Sequence, residues 1–216
     1  MGRIKSLAYK LNMTNNKNYF HILYKDEHLV AIDKPAGYSV HPPEDKTIRI
    51  SKHSNCMALL RDQLGVYVYP VHRLDRATSG VLLFALNKEA ASKMSGAFTI
   101  HEVRKKYLCV IRGWPKENSG IIDKPLNNLD EETLLESRTS YECLKKIELP
   151  FSTDPKFETT RYSLVETSPL TGRTHQIRRH FRSLSHPLIG DTRHGSTKHN
   201  RLFAEKFETK EESIAS

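Results

Sequence analysis

The signals along this chain agree with an α+β domain. Short apolar runs of strand length recur between turn residues, and two stretches carry apolar residues at helical spacing. The 216 residues show no internal repeat and no low-complexity segment. That length allows one large domain, or a domain with a small appendage, with ample material for a core.

Residues 1–19 are polar and basic and read as a flexible tail. Residues 20–205 carry the domain, and residues 206–216 read as a second polar tail. Phe20 to Tyr24 and Leu29 to Ile32 read as strands joined by the polar turn Lys25-Asp26-Glu27-His28. Lys34-Pro35-Ala36-Gly37 turns the chain. Residues 41–55, with Pro42-Pro43, read as a loop, and Met57 to Leu64 as a short helix.

Tyr69 to Leu86 is the stretch with most to say. Pro70 breaks regular structure ahead of a charged turn, His72-Arg73-Leu74-Asp75-Arg76. Thr78-Ser79-Gly80 are turn residues, and Gly80 takes a left-handed conformation without steric cost. Val81 to Leu86 is too short for a typical helix and lacks polar alternation, which predicts a strand buried on both faces. Asp75, between Arg73 and Arg76, is either half of a structural salt bridge or an active-site carboxylate. The turn alone does not choose between them.

A helix follows, with Asn87 as N-cap and Ala90, Ala91, Met94, Ala97 and Phe98 on one face. The basic run Arg104-Lys105-Lys106 leads into a strand, Tyr107 to Ile111, closed by Gly113-Trp114-Pro115. Residues 116–160 alternate loop signals with weak strands, and Pro150 to Thr160 reads as an irregular connection. Arg161 to Glu166 alternates polar and apolar residues, as a half-buried strand does. Thr174 is the expected cap of a last helix with an apolar stripe of Ile177, Phe181 and Leu184. His175, Arg178 and Arg182 share another of its faces. A basic helix opening suits a carboxylate or a phosphate, whereas for Arg179 and Arg182 a solvated helix face is the plainer reading. Pro187 and Gly190 stop the helix.

Composition narrows the function. Lys and Arg number 34 against 25 Asp and Glu, a net charge of +9 that suits a polyanionic partner, nucleic acid first. The three cysteines, Cys56, Cys109 and Cys143, are odd in number and far apart, so no disulfide framework or zinc knuckle is indicated. No apolar stretch is long enough to span a bilayer and no signal core opens the chain, so a soluble, cytoplasmic protein is expected. The 11 histidines show no metal-ligand spacing, and neither a Walker A sequence nor GxGxxG occurs. Neither a metal nor a nucleotide cofactor is expected. No GxSxG surrounds Ser79, and the key turn lacks the second carboxylate of a glycoside hydrolase. One carboxylate, several arginines and a tyrosine after a basic run suit carboxylate attack on a nucleoside within RNA.

Four motifs in one order resemble the RluA-type pseudouridine synthases. I-L-Y-K-D-E-H-L-V-A-I-D-K-P-A-G resembles the start of their catalytic domain, and Y-P-V-H-R-L-D-R-A-T-S-G their catalytic motif. R-K-K-Y-L-C-V-I-R-G-W resembles their tyrosine segment, and L-T-G-R-T-H-Q-I-R-R-H followed by S-H-P-L-I-G-D their third motif. The resemblance covers roughly residues 20 to 205. It implies a mixed, largely antiparallel central sheet flanked by helices, and isomerisation of uridine to pseudouridine in RNA without a cofactor. Within the family the likeness is to members acting on tRNA, which implies a specific T-arm uridine.

By the same resemblance Asp75, Tyr107 and Arg178 are the expected catalytic residues. Asp75 acts on the ribose or the base, Tyr107 stacks on the base and helps remove the C5 proton, and Arg178 pairs with Asp75. Arg73 would fill the space left by the extruded base, since such an enzyme must flip its target from the stack. Arg76, Arg104, Lys105, Lys106, Arg173, Arg179 and Arg193 are the further candidates for contact with the RNA backbone. A monomer is expected. The family continues with a further strand, whereas here the chain ends in Lys210-Glu211-Glu212-Ser213-Ile214-Ala215-Ser216. A truncated C-terminal part, with an exposed sheet edge or an unfilled groove beside the site, is therefore expected. The rival readings are a non-catalytic RNA-binding remnant, a ribosomal-RNA pseudouridine synthase and, more weakly, an RNA chaperone.

Overall fold

A computed structural model describes residues 18–41, 54–127 and 133–207. The expected tail before residue 18, the loop with Pro42-Pro43 and the polar end after Phe207 lie outside the described residues. Three strands and a helix open the described chain: β1 (Ile22–Lys25), β2 (Leu29–Lys34), α1 (Cys56–Leu64) and β3 (Tyr69–Pro70). Then come β4 (Gly80–Ala85), α2 (Lys88–Thr99), β5 (Tyr107–Arg112), β6 (Ser119–Asp123), β7 (Leu126–Asn127) and β8 (Leu134–Leu135). The long hairpin β9 (Arg138–Leu149) and β10 (Thr160–Pro169) precedes α3 (Gln176–Ser183) and α4 (Thr197–Phe207). The α+β class and the largely antiparallel pairing are borne out. The ladders form two four-stranded sheets, ordered β1-β2-β4-β3 and β5-β10-β9-β6, beside a two-stranded ribbon of β7 and β8.

In the first sheet, alternation sends Val30 and Ile32 of β2 and Leu82 and Phe84 of β4 to one face, where they meet Leu59 and Leu60 of α1. The Asn55 side chain caps α1 by accepting the Ala58 N–H at 2.9 Å. β4 differs from the sequence expectation of burial on both faces. Val81 is 61% exposed, because the opposite face of the sheet is covered at its far end alone, where α2 crosses β4. There the His72 ring stacks on Phe98 of α2 with centroids 4.5 Å apart. Asn87 caps α2 as expected, accepting the Ala90 N–H at 2.9 Å, and the anticipated face from Ala90 to Phe98 is half-buried.

The second core gathers Cys109, Ile111, Ile122, Val165, Phe181 and Leu188 between its sheet and α3. Tyr107, the first residue of β5, packs against both cores and so sits at their junction. β5 is an edge strand, and the segment after α3 pairs with its distal half. The Arg112 N–H donates to the Pro187 carbonyl at 3.0 Å, and the Ile189 N–H to the Val110 carbonyl at 2.9 Å. Both ends of β5 therefore have work to do: one is tied down by residues 187–189, the other opens on a cavity.

Candidate active site

That cavity measures about 240 Å³ and is lined by the Asp75 turn, the start of β5, the end of β10 and the opening of α3. It is smaller than the roughly 300–1,000 Å³ pockets that hold drug-sized ligands, and so suits one small ring better than an oligomer. Asp75, Tyr107 and Arg178 all line it, as do Arg73 and Arg173. Three segments distant in sequence thus deliver the expected catalytic residues to one place.

The Asp75 turn is fixed from three sides. Lys34, fully buried, donates from Nζ to the Pro35 carbonyl at 2.9 Å and to the Arg76 carbonyl at 3.3 Å. The Gly37 N–H also reaches the Arg76 carbonyl, at 2.8 Å, and Arg76 Nε donates back to the Gly37 carbonyl at 3.0 Å. Gly37 makes this approach with a φ of 88°, a conformation that glycine accepts readily. From the other side His72 Nε2 accepts the Leu83 N–H at 3.0 Å, which ties the turn to β4. Burial pushes the His72 pKa down to about 4, so the ring stays neutral and keeps that acceptor.

The opening of α3 brings the partner. Arg178 Nη1 donates to Asp75 Oδ2 at 2.8 Å, so the salt-bridge and active-site readings of Asp75 are compatible. Arg178 also grips a second carboxylate, donating from Nε and Nη2 to Asp191 at 2.9 and 2.7 Å. The Asp191 side chain is fully buried and accepts the N–H groups of Arg193 and His194, both at 2.9 Å. Burial opposes the Asp191 charge, but Arg178 and those N–H groups outweigh it and hold the carboxyl below its ordinary pKa. Burial likewise opposes the Arg178 charge, and the two carboxylates outweigh it, raising its pKa. The result is a clamp: Asp191 holds the guanidinium by two bonds, and the third bond aims it at Asp75.

Thr174 is not the cap of α3. The cap position is His175, with a φ of 53° and no side-chain capping bond. The turn before α3 is organised instead by buried Gln176. Its Oε1 accepts from Thr171 Oγ1 at 2.7 Å and from the Arg173 N–H at 3.0 Å. Its Nε2 donates to the Arg138 carbonyl at 2.9 Å. A side chain reaching back from the first helical turn thus replaces the expected hydroxyl.

The remaining basic candidates are dispersed. Arg104 and Arg193 are exposed, Lys105 is half-buried and Lys106 pairs with Glu166 at 2.6 Å, all outside the cavity lining. Arg179 donates to the Asn127 backbone and side chain, at 2.7 and 2.5 Å, rather than projecting as a solvated cation. Lys34, His72, His194 and Asp191 were not singled out from the sequence. For Asp191 the available signal was its place after Gly190, where an Asp commonly accepts N–H groups two and three residues on. Among the described residues no group of three or more His, Cys, Asp or Glu is placed to hold a metal ion. No helix among them is long and apolar enough to cross a membrane.

Residues 28–183 match the family described as RNA pseudouridylate synthase. The chain belongs to this family. Curated members agree with the match. The chain is 46% identical to tRNA pseudouridine synthase C of Vibrio parahaemolyticus over 200 residues, covering 87% of this chain and 78% of that one. It is 47% identical to tRNA pseudouridine synthase C of Haemophilus ducreyi over 195 residues, covering 86% and 78%. Among solved structures, human RNA Pseudouridylate Synthase Domain Containing 1 superposes with a TM-score of 0.68 at 26% identity, covering 85% of this chain and 72% of that one. The chain is thus an RNA pseudouridine synthase of the RluA type, an isomerase.

Proposed function

We propose that this synthase isomerises a specific uridine of tRNA, in the T-arm, and that Asp75 is the reacting carboxylate. The observation that carries the reading is the Arg178 clamp on Asp75 at the cavity wall. The choice of tRNA is supported by the names of the relatives that share nearly half of its residues. Arg178 occupies Oδ2, which leaves Oδ1 as the oxygen to meet the uridine.

The overall reaction exchanges the N1–C1′ bond of uridine for a C5–C1′ bond. The C5 proton leaves and N1 gains one, so atoms and electrons balance without an oxidant, a reductant or a released group. The chain must expose the uridine, turn the freed uracil and return it to the same sugar. A cavity for one small ring suits that containment. Burial first, and then the Asp75 charge, raise the Tyr107 pKa, so its phenol works in the neutral form. Tyr107 stacks on the uracil, and its oxygen accepts the C5 proton as its own passes towards Asp75. Arg73, exposed at the cavity rim, takes the place of the extruded base. Arg76, Arg104, Lys105, Lys106, Arg173, Arg179 and Arg193 are the proposed backbone contacts, each contributing affinity that weakens as salt rises.

The test is to incubate the protein with unmodified tRNA and map pseudouridine chemically. The reading expects one modified T-arm uridine with the wild type and none with Asp75→Ala. Unmodified tRNA with the wild type, modification of ribosomal RNA alone, or equal product from Asp75→Ala would overturn it.

A further inference from the structure

His175 adopts a left-handed backbone that side chains rarely take, and it gains no capping bond from it. What the conformation does achieve is to set the imidazole between two groups. Its Nε2 lies 3.8 Å from Asp75 Oδ2, and its Nδ1 lies 2.9 Å from His194 Nε2. The two rings stand nearly edge to face, at 74° with centroids 5.1 Å apart. His194 itself is carried by the turn that holds Asp191, and its carbonyl accepts from Arg182 Nη1 at 3.4 Å.

The short contact between the rings needs one proton, and Asp75 decides which ring supplies it. A neutral imidazole carries one N–H. Were His175 to donate from Nδ1, its Nε2 lone pair would face the Asp75 carboxylate. With the proton on Nε2, the N–H dipole points at that carboxylate and Nδ1 accepts from His194. Both rings favour the neutral form. Burial lowers the pKa of each, to about 4 for His194. Arg178 and Arg193 press in the same direction on both rings, while Asp75 and Asp191 oppose them at His175 and Asp191 does so at His194.

We propose that His175 is a positioning residue for Asp75, its Nε2–H form set by that carboxylate and supported by a hydrogen bond from His194 Nε2 to its Nδ1. Arg178 bonds Oδ2 from one side and the His175 N–H dipole faces the same oxygen at 3.8 Å from another, which favours one orientation of the carboxylate. This rests on the reading of Asp75 as the reacting carboxylate.

Two measurements on the full chain test it. Long-range proton–nitrogen NMR of the nitrogen-15-labelled protein at neutral pH reports which ring nitrogen is protonated. His175→Asn, whose residue tolerates a left-handed backbone, and His194→Gln assign the signals. The expected result is Nε2–H on both rings, with the His175 preference lost in Asp75→Ala. An Nδ1 proton on His175, or a tautomer unchanged in Asp75→Ala, overturns the proposal. This readout needs no turnover, so it stands even if tRNA proves not to be the substrate. The second measurement is steady-state kinetics on tRNA. His194→Phe lowers kcat by about tenfold or more with KM little changed, the scale on which loss of an orienting partner acts. His194→Gln, which keeps an N–H donor near the same place, restores most of that loss. Equal losses in the two variants would mean a packing role only and would overturn the proposal.

Discussion

Arg178 serves two carboxylates, and their burial sorts their roles. Its own side chain is 13% exposed, Asp75 is 28% exposed and faces the cavity, and Asp191 is fully enclosed. Removing one partner from a buried, bonded charge pair costs more than the pair itself contributes, because the survivor is left without compensation. Asp191→Asn should therefore lower unfolding stability by about 3 kcal/mol, read from a denaturant titration. It should also lower kcat more than it raises KM, since Arg178 loses its aim at Asp75. A neutral result in the titration would remove Asp191 from the clamp. At this scale the sequence was most informative where a motif named a residue type: Asp75, Tyr107 and Arg178 reach one cavity. Asp191 carried only a local turn signal, and it and His194 escaped because their enclosure and their partners 13 and 19 residues away are not part of any local pattern.

The elements were legible where periodicity or capping is local. The helix from Asn87 and the strand from Tyr107 fall where expected, and the irregular stretch from Pro150 to Thr160 is the connection between β9 and β10. Two readings failed for tertiary reasons. Val81 lies on the part of its sheet face that α2 leaves uncovered, and the α3 opening is organised by Gln176, which ties the neighbouring Thr171 and Arg173 to the distant Arg138 carbonyl. The turn between α3 and α4 is the element on which the clamp depends. Its tightness is set at Gly195, where an added Cβ would collide with the Asp191 carbonyl oxygen and lie 3.0 Å from that of Leu188. These are backbone atoms and cannot yield as a flexible side chain would. Gly195→Ala should cost about 2 kcal/mol, the usual scale of overpacking, seen as a lowered Tm together with a lower kcat. Full activity and an unchanged Tm would show that the turn can relax without disturbing Asp191.

For the whole molecule, three histidines, His199 buried and His72 and His194 half-buried, set a limit at acid pH. Burial is the first cause in each case, and it lowers the pKa values of His72, His194 and His199 to about 4. Their ordinary value is about 6.5, so between pH 6.5 and 4 the unfolded chain binds more protons than the folded one. Stability should fall as pH drops through that window and stop falling on their account below it. Thermal melts from pH 8 to 4 check this, and a flat profile would contradict it. The net charge of +9 was legible from composition and agrees with an RNA substrate. The division into two sheets was not, since pairing depends on contacts far apart in the chain. It is that division that puts Tyr107 at the junction of two cores and Asp75 beside it. The claim that Asp75 is the reacting carboxylate meets its most direct test in tRNA labelled with tritium at uridine C5, because forming the C5–C1′ bond expels that hydrogen. The account predicts tritium release by the wild type and none above background by Asp75→Asn that folds and binds tRNA normally. Release by Asp75→Asn at the wild-type rate would contradict it.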